Sequence, residues 1–118
     1  MLTQHDLNQF RGTDKYYRHF LKQFAYTDGV KYLADTASAH WLIDAIASYQ
    51  PQLLSDPMLQ EFQVWKLTVN SDNNTATLVC ERDTDVVVIT QNIEFTDFPL
   101  PEVRLYLCAK VLMLPSEY

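Results

Sequence analysis

Glycine is nearly absent from this chain of 118 residues, occurring only as Gly12 and Gly29. A glycine-rich loop that cradles phosphate needs several glycines close together, so that class of nucleotide site is excluded. Cysteine is as scarce. Cys80 and Cys108 stand 28 residues apart, with no Cys-x-x-Cys pair and no Cys/His spacing suited to zinc. No apolar run approaches the length of a membrane-spanning helix, and the first ten residues, MLTQHDLNQF, hold no apolar signal core. Cations are few: nine Lys and Arg against fifteen Asp and Glu leave a net charge of −6. That balance weighs against generic binding to nucleic acid or to an anionic membrane surface, both of which need surplus positive charge. The expectation is a cytoplasmic protein with reduced, packed thiols, no metal and no cofactor.

What the chain does have is apolar and aromatic mass. Hydrophobic residues make up 47%, with seven Tyr, six Phe and two Trp, which is enough for a real core in one domain over residues 1–118. The charge is uneven. Arg11, Lys15, Arg18, Lys22 and Lys31 against Asp6, Asp14 and Asp28 give residues 1–31 a net +2, so the remainder carries −8. Such asymmetry polarises a surface.

Residues 27–50 form the longest stretch that reads as one packed unit. Val30, Leu33, Ala34 and Ala37, then Trp41, Leu42, Ala45, Ile46 and Tyr49, recur at helical gaps. Trp41 lies at the centre of that face and is expected in the core. Thr27 caps a helix over Asp28–Asp35, and Ser38 caps a second over Ala39–Tyr49, although one continuous helix also fits. Pro51 is expected to end the segment.

Before it, Thr3 caps a short helix over Gln4–Phe10, and Gly12 stops it. A second helix is expected over Asp14–Ala25, capped by Thr13, with Tyr17, Phe20, Leu21 and Phe24 on one face. A strand over Lys15–Phe20 is the competing reading, because paired tyrosines suit a sheet. After it, Ser55-Asp56-Pro57 opens one helical turn. From Phe62 the period becomes two, placing Trp65, Leu67 and Val69 on one face of a strand. The sequence 71–74, SDNN, is a turn. Further strands are expected at Ala76–Cys80 and Val86–Phe95, joined by a polar connection, Glu81–Asp85. Phe98–Pro101 is a rigid link, and Val103–Leu107 with Val111–Leu114 reads as a hairpin. The fold class expected is α+β: N-terminal helices, mainly in residues 1–60, packed on one face of an antiparallel meander of about five strands in residues 61–118.

Four segments, YTDGVKYLA (26–34), HWLIDAIASYQ (40–50), FTDFPLPE (95–102) and LPSEY (114–118), resemble a family of small bacterial proteins classed as a domain of unknown function and frequent in cyanobacteria and mobile elements. The resemblance spans nearly the full chain. It implies one complete domain, and it implies no catalytic residue.

The candidate sites rest on the residues themselves. His40 and Asp44 are four apart on a predicted helix, a spacing that serves half a metal site or an Asp-oriented base, with His19 as a third member. Polar-face neighbours have the same spacing. Arg18, within Tyr16-Tyr17-Arg18-His19, has the fork geometry to grip an anion, and equally the stem to reach water from a packed strip. Glu81, Asp83 and Asp85 form an acidic group that lacks the glycine and ligand number of a calcium loop. Tyr118 after an apolar run reads as a docked residue or as a partner-binding tip. Two functions follow. One is an acidic interaction or regulatory module whose protein partner presents a basic surface, met through Glu81, Asp83, Asp85 and Tyr118. The alternative is a small hydrolytic or metal-assisted enzyme using His40, Asp44, His19 and Arg18.

Overall fold

A computed structural model of the chain describes residues 2–10, 16–18, 24–83 and 86–118, the side chain of Asp83 excepted. The first element is the helix α1 (Gln4–Asn8), closed by a reciprocal cap. The Thr3 hydroxyl accepts from the Asp6 amide at 3.1 Å, and the Asp6 carboxylate accepts from the Thr3 amide at 3.0 Å. Leu7 is its buried anchor.

The expected helix over Asp14–Ala25 is corrected. Its described parts are two short strands, β1 (Tyr16–Arg18) and β2 (Ala25–Thr27), paired antiparallel with Tyr17 opposite Tyr26. Those two rings stack at 5.7 Å. Pairing along the edge of a sheet, with ring stacking across it, outweighs a helical spacing that few residues support. The assignments to Gly12 and Thr13 lie outside the described residues.

Thr27 ends β2 and caps the next helix, α2 (Asp28–Thr36), its hydroxyl accepting from the Val30 amide at 3.2 Å. A separate helix, α3 (His40–Leu53), follows. Ser38 at φ 52° makes the break, and the Ala39 amide reaches back to the Ala34 carbonyl at 2.9 Å. That is the long bond of a Schellman C-cap. Ser38 therefore terminates α2 rather than capping α3, whose N-cap is Ala39. Pro51 does not end α3, which runs two residues past it. Proline costs a helix about 3 kcal/mol through its missing donor and its ring clash. Buried Leu53 and the Leu54 amide bond to the Gln50 carbonyl, 2.9 Å, hold the last turn against that cost.

The buried stripe of α3 is Leu42, Ile43, Ile46, Ala47, Gln50 and Leu53. Trp41 is half-buried on its flank with Ala45 and Tyr49, so the core position expected for it is corrected by a rotation of the helix face. A one-turn helix, α4 (Pro57–Glu61), begins as the sequence indicates, with Asp56 accepting from the Met58 amide at 2.9 Å.

The remaining strands are β3 (Phe62–Asn70), β4 (Thr75–Asp83), β5 (Val86–Ile93), β6 (Glu102–Cys108) and β7 (Val111–Met113), followed by a 3-10 turn over Pro115–Glu117. The sheet is seven-stranded in the order β1-β2-β7-β6-β3-β4-β5. It is mixed, because β2 runs parallel to β7 while the other neighbours are antiparallel. The expected five-stranded antiparallel meander under N-terminal helices is thereby overturned. Two strands precede the main helices in the chain and join the sheet beside β7. The β6–β7 turn fixes that join: Ala109 and Lys110 both take positive φ, and the Lys110 carbonyl accepts from the Ala25 amide at 3.0 Å.

Trp65 and Leu67 are buried and Val69 packs against the core, so the expected register of β3 stands. Gln63 shares this face and is fully buried. Its amide pairs with that of Gln50 in both directions, 2.8 and 3.0 Å, donates to the Leu59 carbonyl at 3.0 Å and accepts from Trp65 Nε1 at 2.8 Å. A buried amide is tolerated when its groups are satisfied, and this one ties α3, α4 and β3 together. No described helix is long and apolar enough to cross a membrane.

Candidate interaction surface

Period-two alternation buries one face of the long strands and leaves the other half-exposed. Register places Phe62, Val64 and Lys66 of β3 on this outer face. Beside them are Cys108, Tyr106 and Arg104 of β6, and Glu81 and Val79 of β4. Val87 of β5 lies across from Glu81, and Met113 of β7 across from Tyr106. The part of the face around Phe62, Val64, Tyr106 and Val79 is thus apolar and aromatic, and toward Thr68, Thr77, Asn92 and Glu102 it turns polar. At one end Tyr118 meets Phe62 and Tyr106 in a three-ring cluster, with centroids 5.2–5.4 Å apart. Tyr118 is nevertheless 71% exposed: it docks on its own sheet and leaves much of its ring in solvent.

At the other end the sheet stops at β5. Val86, Val87 and Val88 are exposed in succession, at 38, 50 and 36%. Glu81 is not in a connection as expected. It is half-buried within β4, opposite Val64 on one side and Val87 on the other. The ladder continues through this charged stretch because Glu81 pairs with both β3 and β5, and Asp83 pairs with Val86 of β5. Asp85 and the Asp83 side chain lie outside the described residues.

The residues proposed for chemistry are placed as follows. His40 opens α3 and its Nε2 stands 2.7 Å from Asp35 Oδ1, at the end of α2. Asp35 also takes the Lys31 ammonium one turn earlier. Lys31, then His40, hold the Asp35 carboxyl below the usual carboxylate range, and Asp35 raises Lys31 in return. The three side chains are 39–55% exposed, a setting in which ion pairs contribute little. Asp44 is exposed on α3, and Arg18 is exposed on β1, the strand farthest from β5 in the sheet order. His19 lies outside the described residues. Among the described residues no group of three or more His, Cys, Asp or Glu is placed to hold a metal ion.

A cleft of about 270 Å³ opens between α1, β6 and the 3-10 turn, lined by Gln4, Asn8, Arg104 and Ser116 among others. Arg104 is paired there with Glu102 at 3.0 Å, and Ser116 donates to the Leu7 carbonyl at 3.2 Å. Cys80 is buried, and burial with the nearby Glu81 pushes its thiol up to about 12, which removes it as a nucleophile at neutral pH.

Sequence reasoning passed over the β5 edge. Its signal is an eight-residue strand without charge, proline or glycine.

The model of a family of unknown function, DUF6876, matches residues 1–118. The same comparisons found no match among curated proteins. They found none among solved structures.

Proposed function

We propose that this chain, which belongs to the DUF6876 family of unknown function, works as a protein-interaction module whose partner presents a basic surface. The observation behind this reading is the outer sheet face, which runs half-exposed from the Tyr118–Phe62–Tyr106 cluster through Val64 and Val79 to the exposed valines of β5. Half-exposed apolar surface of this kind, with Glu81 among its valines and Glu102 and Glu94 toward its polar end, is what association surfaces offer. The net charge of −6 favours encounter with a cationic protein and opposes nucleic acid and anionic membranes. A reducing, cytoplasmic setting suits the two unpaired thiols, Cys80 and Cys108. The hydrolytic or metal-assisted alternative has less behind it, since His40 is engaged by Asp35 at an exposed position away from the cleft.

The test is quantitative affinity capture from host extract with the purified chain and with Val87→Asp, followed by binding measurements on the enriched protein at low and high salt. The reading expects one predominant basic partner. Its affinity should fall at least tenfold with Val87→Asp and should weaken as salt rises toward screening over about 8 Å. A partner indifferent to both changes, or no enrichment above control, overturns it.

A further inference from the structure

Resting on that reading, we infer that β5 is an open edge for strand addition, and that its occupant is an extended basic segment of another protein rather than a second copy of this chain. β5 is the last strand of the sheet and pairs with β4 on one side; among the described residues nothing pairs on the other. Antiparallel pairing directs alternate backbone groups of a strand to one neighbour and the rest away from it. Half of the N–H and C=O groups of β5 are therefore available to a new strand. Sheets guard such edges with lysines, prolines, inward charges or very short strands. The opposite edge follows this rule in its described part: Tyr16–Arg18 of β1 carries exposed Arg18. β5 does not, for it runs eight residues, VVVITQNI, with no charged residue and no proline.

One guard is present. The β4–β5 register shifts between Cys80 and Glu81 and again before Asp83, which bends the Val86–Val88 end. From Ile89 to Ile93 the strand stays in step with β4 from Cys80 to Ala76. That regular stretch is about 17 Å long at the usual rise, the length of an ordinary strand. Beside it, Val86, Val87 and Val88 are all exposed, where alternation alone would bury every second one. Partly exposed apolar side chains therefore flank the free backbone at that end.

Charge selects the occupant. In sequence the uncharged strand is bracketed by Asp85 and Glu94, which are equidistant from its centre. Two copies meeting edge to edge would bring together chains that each carry −6, with Glu94 closing the regular stretch of each strand, and like charge opposes that approach. A segment carrying Lys or Arg meets the reverse situation. Beyond Glu94, Phe95 is 70% exposed and Asp97 is exposed, so in sequence an exposed apolar ring is flanked by two exposed carboxylates. A long cationic side chain can lay its stem on such a ring and its head against either acid. The occupant is thus an extended segment with apolar residues in alternation and a cation toward the Glu94 end.

The probe is a capped nine-residue peptide alternating valine and lysine, read by amide hydrogen exchange of the isotope-labelled chain. Saturating peptide should slow alternate amides of residues 86–93 at least tenfold and leave β1 unchanged. Replacing the peptide lysines by glutamate, or introducing Val87→Lys in the chain, should weaken binding at least tenfold. N-methylation of one alternate set of peptide amides should abolish binding, and methylation of the other set should not. Absence of binding at millimolar peptide overturns the inference. So does binding that spares β5 or that tolerates both methylated peptides. Concentration-dependent dimers whose β5 amides are protected without peptide would assign the edge to a second copy and overturn it too. If strand addition fails while a partner sensitive to Val87→Asp is still captured, the interaction function stands without it.

Discussion

Replacing Gly29 by alanine should destabilise the domain, and the cause lies 88 residues away. Gly29 sits buried in the first turn of α2. A methyl group there would stand 2.6 Å from Glu117 Oε1, 2.8 Å from its carboxyl carbon and 2.9 Å from Oε2. Those separations are too short to keep. The carboxylate is the end of a flexible side chain, yet it is not free to swing. Glu117 Oε1 accepts from the Thr27 hydroxyl at 2.7 Å and from the Leu114 amide at 2.9 Å. It also sits against the positive end of α2. Displacing it sacrifices two hydrogen bonds to a charged group, about 2–4 kcal/mol after partial replacement by water. Alanine returns up to about 1 kcal/mol of helix propensity. The net loss is about 1–3 kcal/mol. Urea unfolding of Gly29→Ala, Glu117→Ala and the double variant measures it as a cycle. With the carboxylate gone, Gly29→Ala should be neutral or mildly stabilising. Equal destabilisation in both backgrounds would refute this account of how the C-terminal turn is clamped to α2.

Three other outcomes follow from the packing. Gln63→Ala should cost about 3–5 kcal/mol, because Gln50 Oε1, the Leu59 carbonyl and Trp65 Nε1 all lose a buried partner. Gln63→Leu, which fills the space, should cost nearly as much in urea midpoint; a mild effect would mean that volume rather than hydrogen bonding matters. Trp65→Ala should lower stability by about 3–5 kcal/mol and Trp41→Ala by about half of that, since only the first is fully buried; parity of the two would contradict the α3 orientation. For Asp35 the folded state depresses the carboxyl, so its contribution is present above the unfolded aspartate value and is lost as pH falls through the folded one. The stability gap between the parent and Asp35→Asn should therefore hold at neutral pH and close in acid, as followed by thermal melts across pH 2–7. A gap that widens in acid would show that Lys31 and His40 are not its cause.

The parts of the fold legible in the sequence are those where one local rule suffices. Asp56-Pro57 opens α4, Thr3 caps α1, Asn74 takes positive φ in the β3–β4 turn, and Trp65 and Leu67 alternate into the core. The missed parts depend on distant partners. Tyr16–Arg18 and Ala25–Thr27 are too short for a period, and their strand state rests on each other and on β7. Gln50 and Gln63 read as polar surface residues one at a time and become core residues as a pair. Trp41 lies at the centre of the apolar periodicity, while the buried face that Gln50 helps define points elsewhere. Glu81 carries a charge that argues for a loop, but β3 and β5 hold it in a strand. Carboxylates mark the surface in the sequence, whereas the openness of the uncharged β5 edge, guarded by a register shift at one end, depends on the strand order.

The central claim is that the surface around β5 meets another protein. A photo-reactive residue in place of Val87, compared in living host cells with one in place of Tyr32, exposed on α2, tests it most directly. The account predicts a discrete, salt-sensitive protein adduct at position 87 and none of comparable yield at position 32. Equal adducts at the two positions, or none at 87, would contradict it.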